Sequence, residues 1–143
     1  MPASAACALI LGAAFNATAA LAHLACIVLG APAYRFMGAG EKMARAAEAR
    51  RVRPALLTLA IAAALFTAAA CALSGAGVVG RLPFLKVALA GIVAVYLARA
   101  AATTLLKPAF PENSPRFWRV SGGLCLVIGL VHLYGTALRW PSL

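Results

Sequence analysis

A chain of 143 residues that is 64% hydrophobic and 11% charged has too little polar surface to face water as a soluble domain; such domains are about half apolar and a quarter charged. The net charge of +10 comes from 13 basic residues against three acidic ones. No recognisable nucleic-acid module accompanies that charge, so nucleic acid is not an expected partner.

Lipid is the solvent that suits this composition, and the length holds one domain of about four spans of roughly 20 residues each. The expected fold is all-α: an integral membrane four-helix bundle over residues 1–143, with spans at about 5–29, 54–79, 83–106 and 117–138. A short cytoplasmic interfacial helix is expected between spans one and two.

Span one, about Ala5 to Leu29, follows Met1-Pro2-Ala3-Ser4, which carries no positive charge. It is also longer than the apolar region of a secretory signal, so it reads as a retained span. Asn16 lies near its middle, and His23, seven residues on, shares its face. Gly12 and Ala20 flank Asn16 at four-residue steps, and rows of small residues let helices approach closely. Asn16 and His23 are either hydrogen-bonding glue between helices or part of a ligand or cofactor site.

The link Ala31 to Arg53 contains a stretch, Gly40 to Val52, rich in helix formers. Glu41 and Arg45 are four apart in the favourable order. The stretch reads as a short basic helix on the membrane surface or as an extension of span two.

Span two, about Pro54 to Val79, opens with a proline suited to a first helical turn and closes in Gly75, Gly77 and Gly80. Span three, about Pro83 to Leu106, carries Lys86 near its start and Arg99 well inside. The twelve residues between them are too few to cross a bilayer. Either Arg99 snorkels to the cytoplasmic interface or it lies inside the bundle, where no Asp or Glu of a span can meet it. An inward Arg99 implies a bound anion, a polarised carbonyl or a lipid phosphate, with Tyr96 lining the same site. Pro108, Pro111 and Pro115 make the following segment a loop.

Span four, about Phe117 to Leu138, has Trp118 and Trp140 at its ends. They lie about 33 Å apart at the helical rise, as expected for an aromatic at each interface. Gly122, Cys125, Gly129, His132 and Thr136 form one stripe, and His132 is a candidate second polar site or a satisfied buried histidine. His23 and His132 differ in expected depth by roughly 15 Å, so a single haem bridging them is not expected. The four cysteines, Cys7, Cys26, Cys71 and Cys125, have spacings that suit neither zinc nor a disulfide framework, and no metal site is expected.

Ten of the thirteen basic residues lie in or beside loops one and three, which places those loops in the cytoplasm and both termini outside. A bacterial inner membrane fits best. The chain lacks the first-span carboxylate of small multidrug transporters, the C-x-x-C of membrane thiol oxidoreductases, and H-E-x-x-H, G-x-S-x-G and P-loop motifs. Tyr34-Arg35-Phe36-Met37-Gly38-Ala39-Gly40-Glu41-Lys42-Met43 and Leu73-Ser74-Gly75-Ala76-Gly77-Val78 resemble segments of uncharacterised small four-span bacterial membrane proteins. The resemblance covers most of the chain and implies no activity.

Two functions follow as expectations. The first is a non-enzymatic accessory or assembly subunit that binds another membrane protein or itself through faces rich in Gly and Ala. The second is a site for an anion, lipid head group or quinone-like carbonyl in the cytoplasmic half, lined by Asn16, His23, Tyr96 and Arg99 with Arg35 and Glu41 near its mouth. No cofactor is identified by either reading.

Overall fold

The structure, a computed structural model, describes residues 3–143. Among these are seven α-helices and two 3-10 turns, with no strand. The helices are α1 (Ala3–Leu29), α2 (Ala31–Phe36), α3 (Glu41–Glu48), α4 (Val52–Ala76), α5 (Leu85–Ala101), α6 (Thr103–Leu106) and α7 (Pro115–Arg139). The 3-10 turns follow α6 and α7, at Lys107–Ala109 and Trp140–Ser142.

Local chemistry sets the helix ends. Gly77 closes α4 in the left-handed region at φ 80°, which a glycine enters without the Cβ penalty. Its N–H donates to the Ser74 carbonyl, and the Val78 N–H donates to that of Leu73. Ser114 caps α7, its hydroxyl oxygen accepting from the Phe117 N–H at 3.1 Å, with Pro115 at the first helical position.

The link between α1 and α4 contains two short helices, not the single one expected. Gly40, at φ 90°, turns the chain between them. Arg50, at φ 52°, separates α3 from α4, so α3 is not an extension of the next long helix. Span three is broken. α5 and α6 are bent by 62° about Ala102. At the break the Thr103 hydroxyl donates to the Ala100 carbonyl at 2.7 Å, competing for an acceptor that a continuous helix needs.

The four long helices pack in the cyclic order α4, α1, α7, α5, with α5 returning to α4. The α1–α4 and α5–α7 contacts are the most extensive, and α4 barely touches α7. At one end Leu9, Leu85, Leu89 and Leu143 share a buried cluster. Midway, Ala13 meets Ala69 and Ala72, where small side chains bring α1 and α4 close. At the other end Cys26, Ala31, Tyr34 and Ala44 pack together, and the Thr58 hydroxyl donates to the Tyr34 oxygen at 3.2 Å.

Among the described residues three helices are long and apolar enough to cross a membrane: α1, α4, and α7 with its terminal turn. The bent pair α5–α6 makes a fourth if it counts as one span.

Candidate functional site

The polar residues of α1, α5 and α7 converge near mid-length of the long helices. Asn16 and His132 are each 0% exposed. The Tyr96 hydroxyl donates to Asn16 Oδ1 at 2.6 Å. Asn16 Nδ2 then donates to the Gly12 carbonyl and to His132 Nε2, both at 3.0 Å. With Nε2 accepting, the proton sits on Nδ1, which donates to the Ile128 carbonyl at 2.9 Å. The ring is therefore a neutral imidazole with both nitrogens engaged. Tyr96 stacks on it with centroids 5.9 Å apart and planes 19° from parallel.

Two glycines make room for this arrangement. A Cβ at Gly12 would lie 2.6 Å from His132 Cε1, and one at Gly129 would lie 2.8 Å from Leu97 Cδ2 and 3.2 Å from Tyr96 Cβ. The small-residue face of α1 thus accommodates an imidazole, and Asn16 reaches it from one turn further along.

His132 is therefore not a second, separate polar site: it shares one chain of hydrogen bonds with Asn16 and Tyr96. His23 lies outside that chain, since its Nδ1–H donates to the carbonyl of Ala19 on its own helix at 2.7 Å. The two histidines hold different partners. Among the described residues no group of three His, Cys, Asp or Glu side chains could hold a metal ion.

Arg99 has its own surroundings. Its Nη2 donates to the Ser121 hydroxyl at 3.1 Å, and its guanidinium carbon lies 5.5 Å from the Trp118 ring centre. Nη1 is enclosed without a hydrogen-bond partner among the described residues. Trp118 is only 4% exposed and packs edge-on against Phe117, so it is not the interfacial belt residue its position implied. Trp140, at the other end, is exposed and lies 5.5 Å from Lys86 Nζ.

Arg35 and Glu41 belong to a cap beyond the helix ends. Arg35 grips Glu41 with two parallel hydrogen bonds of 2.9 and 3.0 Å. Its Nη1 meets Glu48 at 2.9 Å, and Arg45 Nε donates to Glu41 at 3.1 Å. The Arg35 guanidinium first, and Arg45 second, hold the Glu41 carboxyl down to about 2, and the hydrogen bonds to Glu41 first and Glu48 second raise the Arg35 pKa. Loop three joins the cap. The Glu41 N–H donates to the Glu112 carboxylate, Asn113 Nδ2 donates to the Gly38 carbonyl at 3.1 Å, and the Phe117 ring packs on Gly38. Loops one and three therefore share one end of the molecule.

The candidate residues thus fall into four places: Asn16, Tyr96 and His132 together, His23 alone, Arg99 on the α5–α7 seam, and Arg35 with Glu41 in the cap. Sequence reasoning did not single out Glu48, Glu112 or Ser121. The signal for the two glutamates was scarcity: with three carboxylates in the chain, each is a natural partner for a nearby arginine or N–H; Ser121 carried no such signal.

Comparison of the chain with protein-family models, curated proteins and solved structures finds no match.

Proposed function

We propose that the chain is a non-enzymatic integral membrane protein, a four-helix bundle that serves as an accessory or assembly subunit for another membrane protein. The observation that carries this reading is the saturated chain from Tyr96 through Asn16 to His132. Its hydrogen bonds are spent tying α1, α5 and α7 to one another. Polar side chains used this way bind helices together in lipid.

On this reading α1, α4, the broken α5–α6 pair and α7 are the four spans. Loops one and three are cytoplasmic, because they and their flanks hold ten of the thirteen basic residues and meet in one cap. Ser4 and Leu143 then lie on the outer side of a bacterial inner membrane.

The partner face is assigned to α4, the long helix that takes no part in the polar chain. Its outward side presents Leu56, Leu59 and Phe66, all exposed, with the small residue Ala63 between them and Ala70 one turn beyond Phe66. Large side chains alternating with small ones on a helical face suit close packing by a neighbouring helix.

A native mass spectrum of the protein, gently extracted from its own membrane, tests the proposal. The expected result is an assembly larger than one chain. Replacing both Leu59 and Phe66 by Ala should release the partner while leaving the fold intact, since both side chains point outward. A bare monomer from the wild-type protein overturns the assembly reading. The ligand alternative has less support, because its candidate residues do not converge on one space.

A further inference from the structure

Beside the α5–α7 seam runs an open groove of about 520 Å3, within the roughly 300–1,000 Å3 range of small-molecule sites. It lies next to the break at Ala102, with Ala101 and Thr103 in its wall. Its length is apolar: Leu97 and Ala101, one turn apart on α5, face Gly123 and Leu126 on α7. Its mouth is different. Arg119, which is exposed, and Trp118 line it there. The Trp118 indole is almost fully buried and forms the wall beside Arg119. Lys107 and Arg116 follow the break and begin α7, at the same end.

The two adjacent glycines of α7 divide the seam from the groove. A Cβ at Gly122 would lie 2.8 Å from the Thr103 hydroxyl, so Gly122 is the point of close helix contact. A Cβ at Gly123 would meet nothing within 4 Å. The missing side chain at Gly123 is thus not needed for helix packing, and the space it leaves belongs to the groove.

We propose that this groove binds one anionic phospholipid, its acyl chain along Leu97, Ala101, Gly123 and Leu126 and its phosphate held by Arg119. Charge chooses the occupant. The mouth carries a free guanidinium, Arg99 adds a second positive charge 5.5 Å behind the Trp118 ring, and no carboxylate lines the groove. Guanidinium groups match phosphate oxygens with paired hydrogen bonds, and basic pockets on the cytoplasmic side of membrane helices are where anionic head groups bind. The inference rests on the membrane reading above but not on the assembly reading.

The test is native mass spectrometry of the full chain in mixed micelles, titrated with phosphatidylglycerol or phosphatidylcholine. The wild type should retain one phosphatidylglycerol about tenfold more strongly than phosphatidylcholine, as for one charge-assisted contact. Arg119→Gln should abolish that preference and leave weak binding of both lipids. Gly123→Leu fills open space, so it should fold as the wild type does and lose both lipids. Equal retention of the two lipids by the wild type overturns the proposal. So does wild-type retention of phosphatidylglycerol by Gly123→Leu, or displacement of the lipid by millimolar inorganic phosphate. Recovery of the chain in the soluble fraction sinks the membrane reading itself, whereas a membrane-bound chain without retained lipid sinks only this site.

Discussion

The middle of the molecule and its cap solve the same problem with opposite means. In the middle, three helices are joined by neutral groups: a phenol, an amide and an imidazole, each 3.0 Å or less from the next. In the cap, charge meets charge, with Arg35 and Arg45 around Glu41 and Glu48, all well exposed. The difference follows from solvation. An ion in a dry interior loses several kcal/mol of hydration, which a partner seldom returns in full. A neutral dipole loses far less, provided every donor and acceptor is met. In the exposed cap, charge is cheap to keep but each pair contributes little to stability.

That contrast ranks the effects of substitutions. Gly12→Leu should be the most damaging, because the new side chain must displace an imidazole pinned by Asn16, Ile128 and Tyr96. Overpacking of this kind costs about 3 kcal/mol, read as a fall in thermal midpoint of the purified protein. Asn16→Ala should cost about 2 kcal/mol, since it leaves Tyr96 and His132 without their buried partner. In the double variant Gly12→Ala with Asn16→Ala the losses should be clearly less than additive, because both act on one ring. Full additivity would break the idea of a single connected chain. Tyr96→Phe removes one end of the chain and should cost about 0.6 kcal/mol, the usual size of a hydrogen bond between membrane helices.

Glu41→Gln should leave the global thermal midpoint unchanged and act only within the cap. A larger loss from Glu41→Gln than from Asn16→Ala would reverse the ranking. The pH dependence sharpens the point. The Glu41 carboxyl is held below its ordinary 4.5, at about 2. A carboxyl depressed on folding contributes stability above its unfolded pKa and loses it as pH falls through its folded one. The cap contacts of Glu41 should therefore survive at pH 4 and fail only near pH 2. A carboxyl carbon resonance of Glu41 that titrates near 4.5 would contradict the ion cluster.

Much of this frame was legible in the sequence. Apolar runs and their Pro and Gly boundaries located the long helices to within a few residues, because length and hydropathy are properties of a segment alone. The polar chain was half legible. Asn16 lies two turns before His23, about 10 Å along the axis, and that displacement brings it close to the depth expected of His132. What a single chain does not state is azimuth: which helix stands beside which, and which way each face turns. For that reason the sequence pairs Asn16 with His23 on its own helix and not with His132 across the interface. The break at Ala102 had no glycine or proline to announce it. The back-bonding Thr103 hydroxyl beside it is no clearer a signal, since Thr67 makes a similar bond inside the unbroken α4. Trp118 misled for a related reason: a position at the end of a run is the same whether the ring faces lipid or the seam.

The partition of the polar chain among helices bears on the order in which the molecule can be assembled. α1 and α4 emerge first and form an extensive contact lined by alanines, so the leading hairpin can close as soon as it exists. Yet the partners of Asn16 on other helices lie on α5 and α7, the last of them 116 residues further along the chain. Until α5 and α7 follow, the Asn16 amide midway along α1 has only the Gly12 carbonyl of its own helix as a partner. The two later helices therefore complete more than the packing: they supply the remaining partners of a polar group already placed on α1.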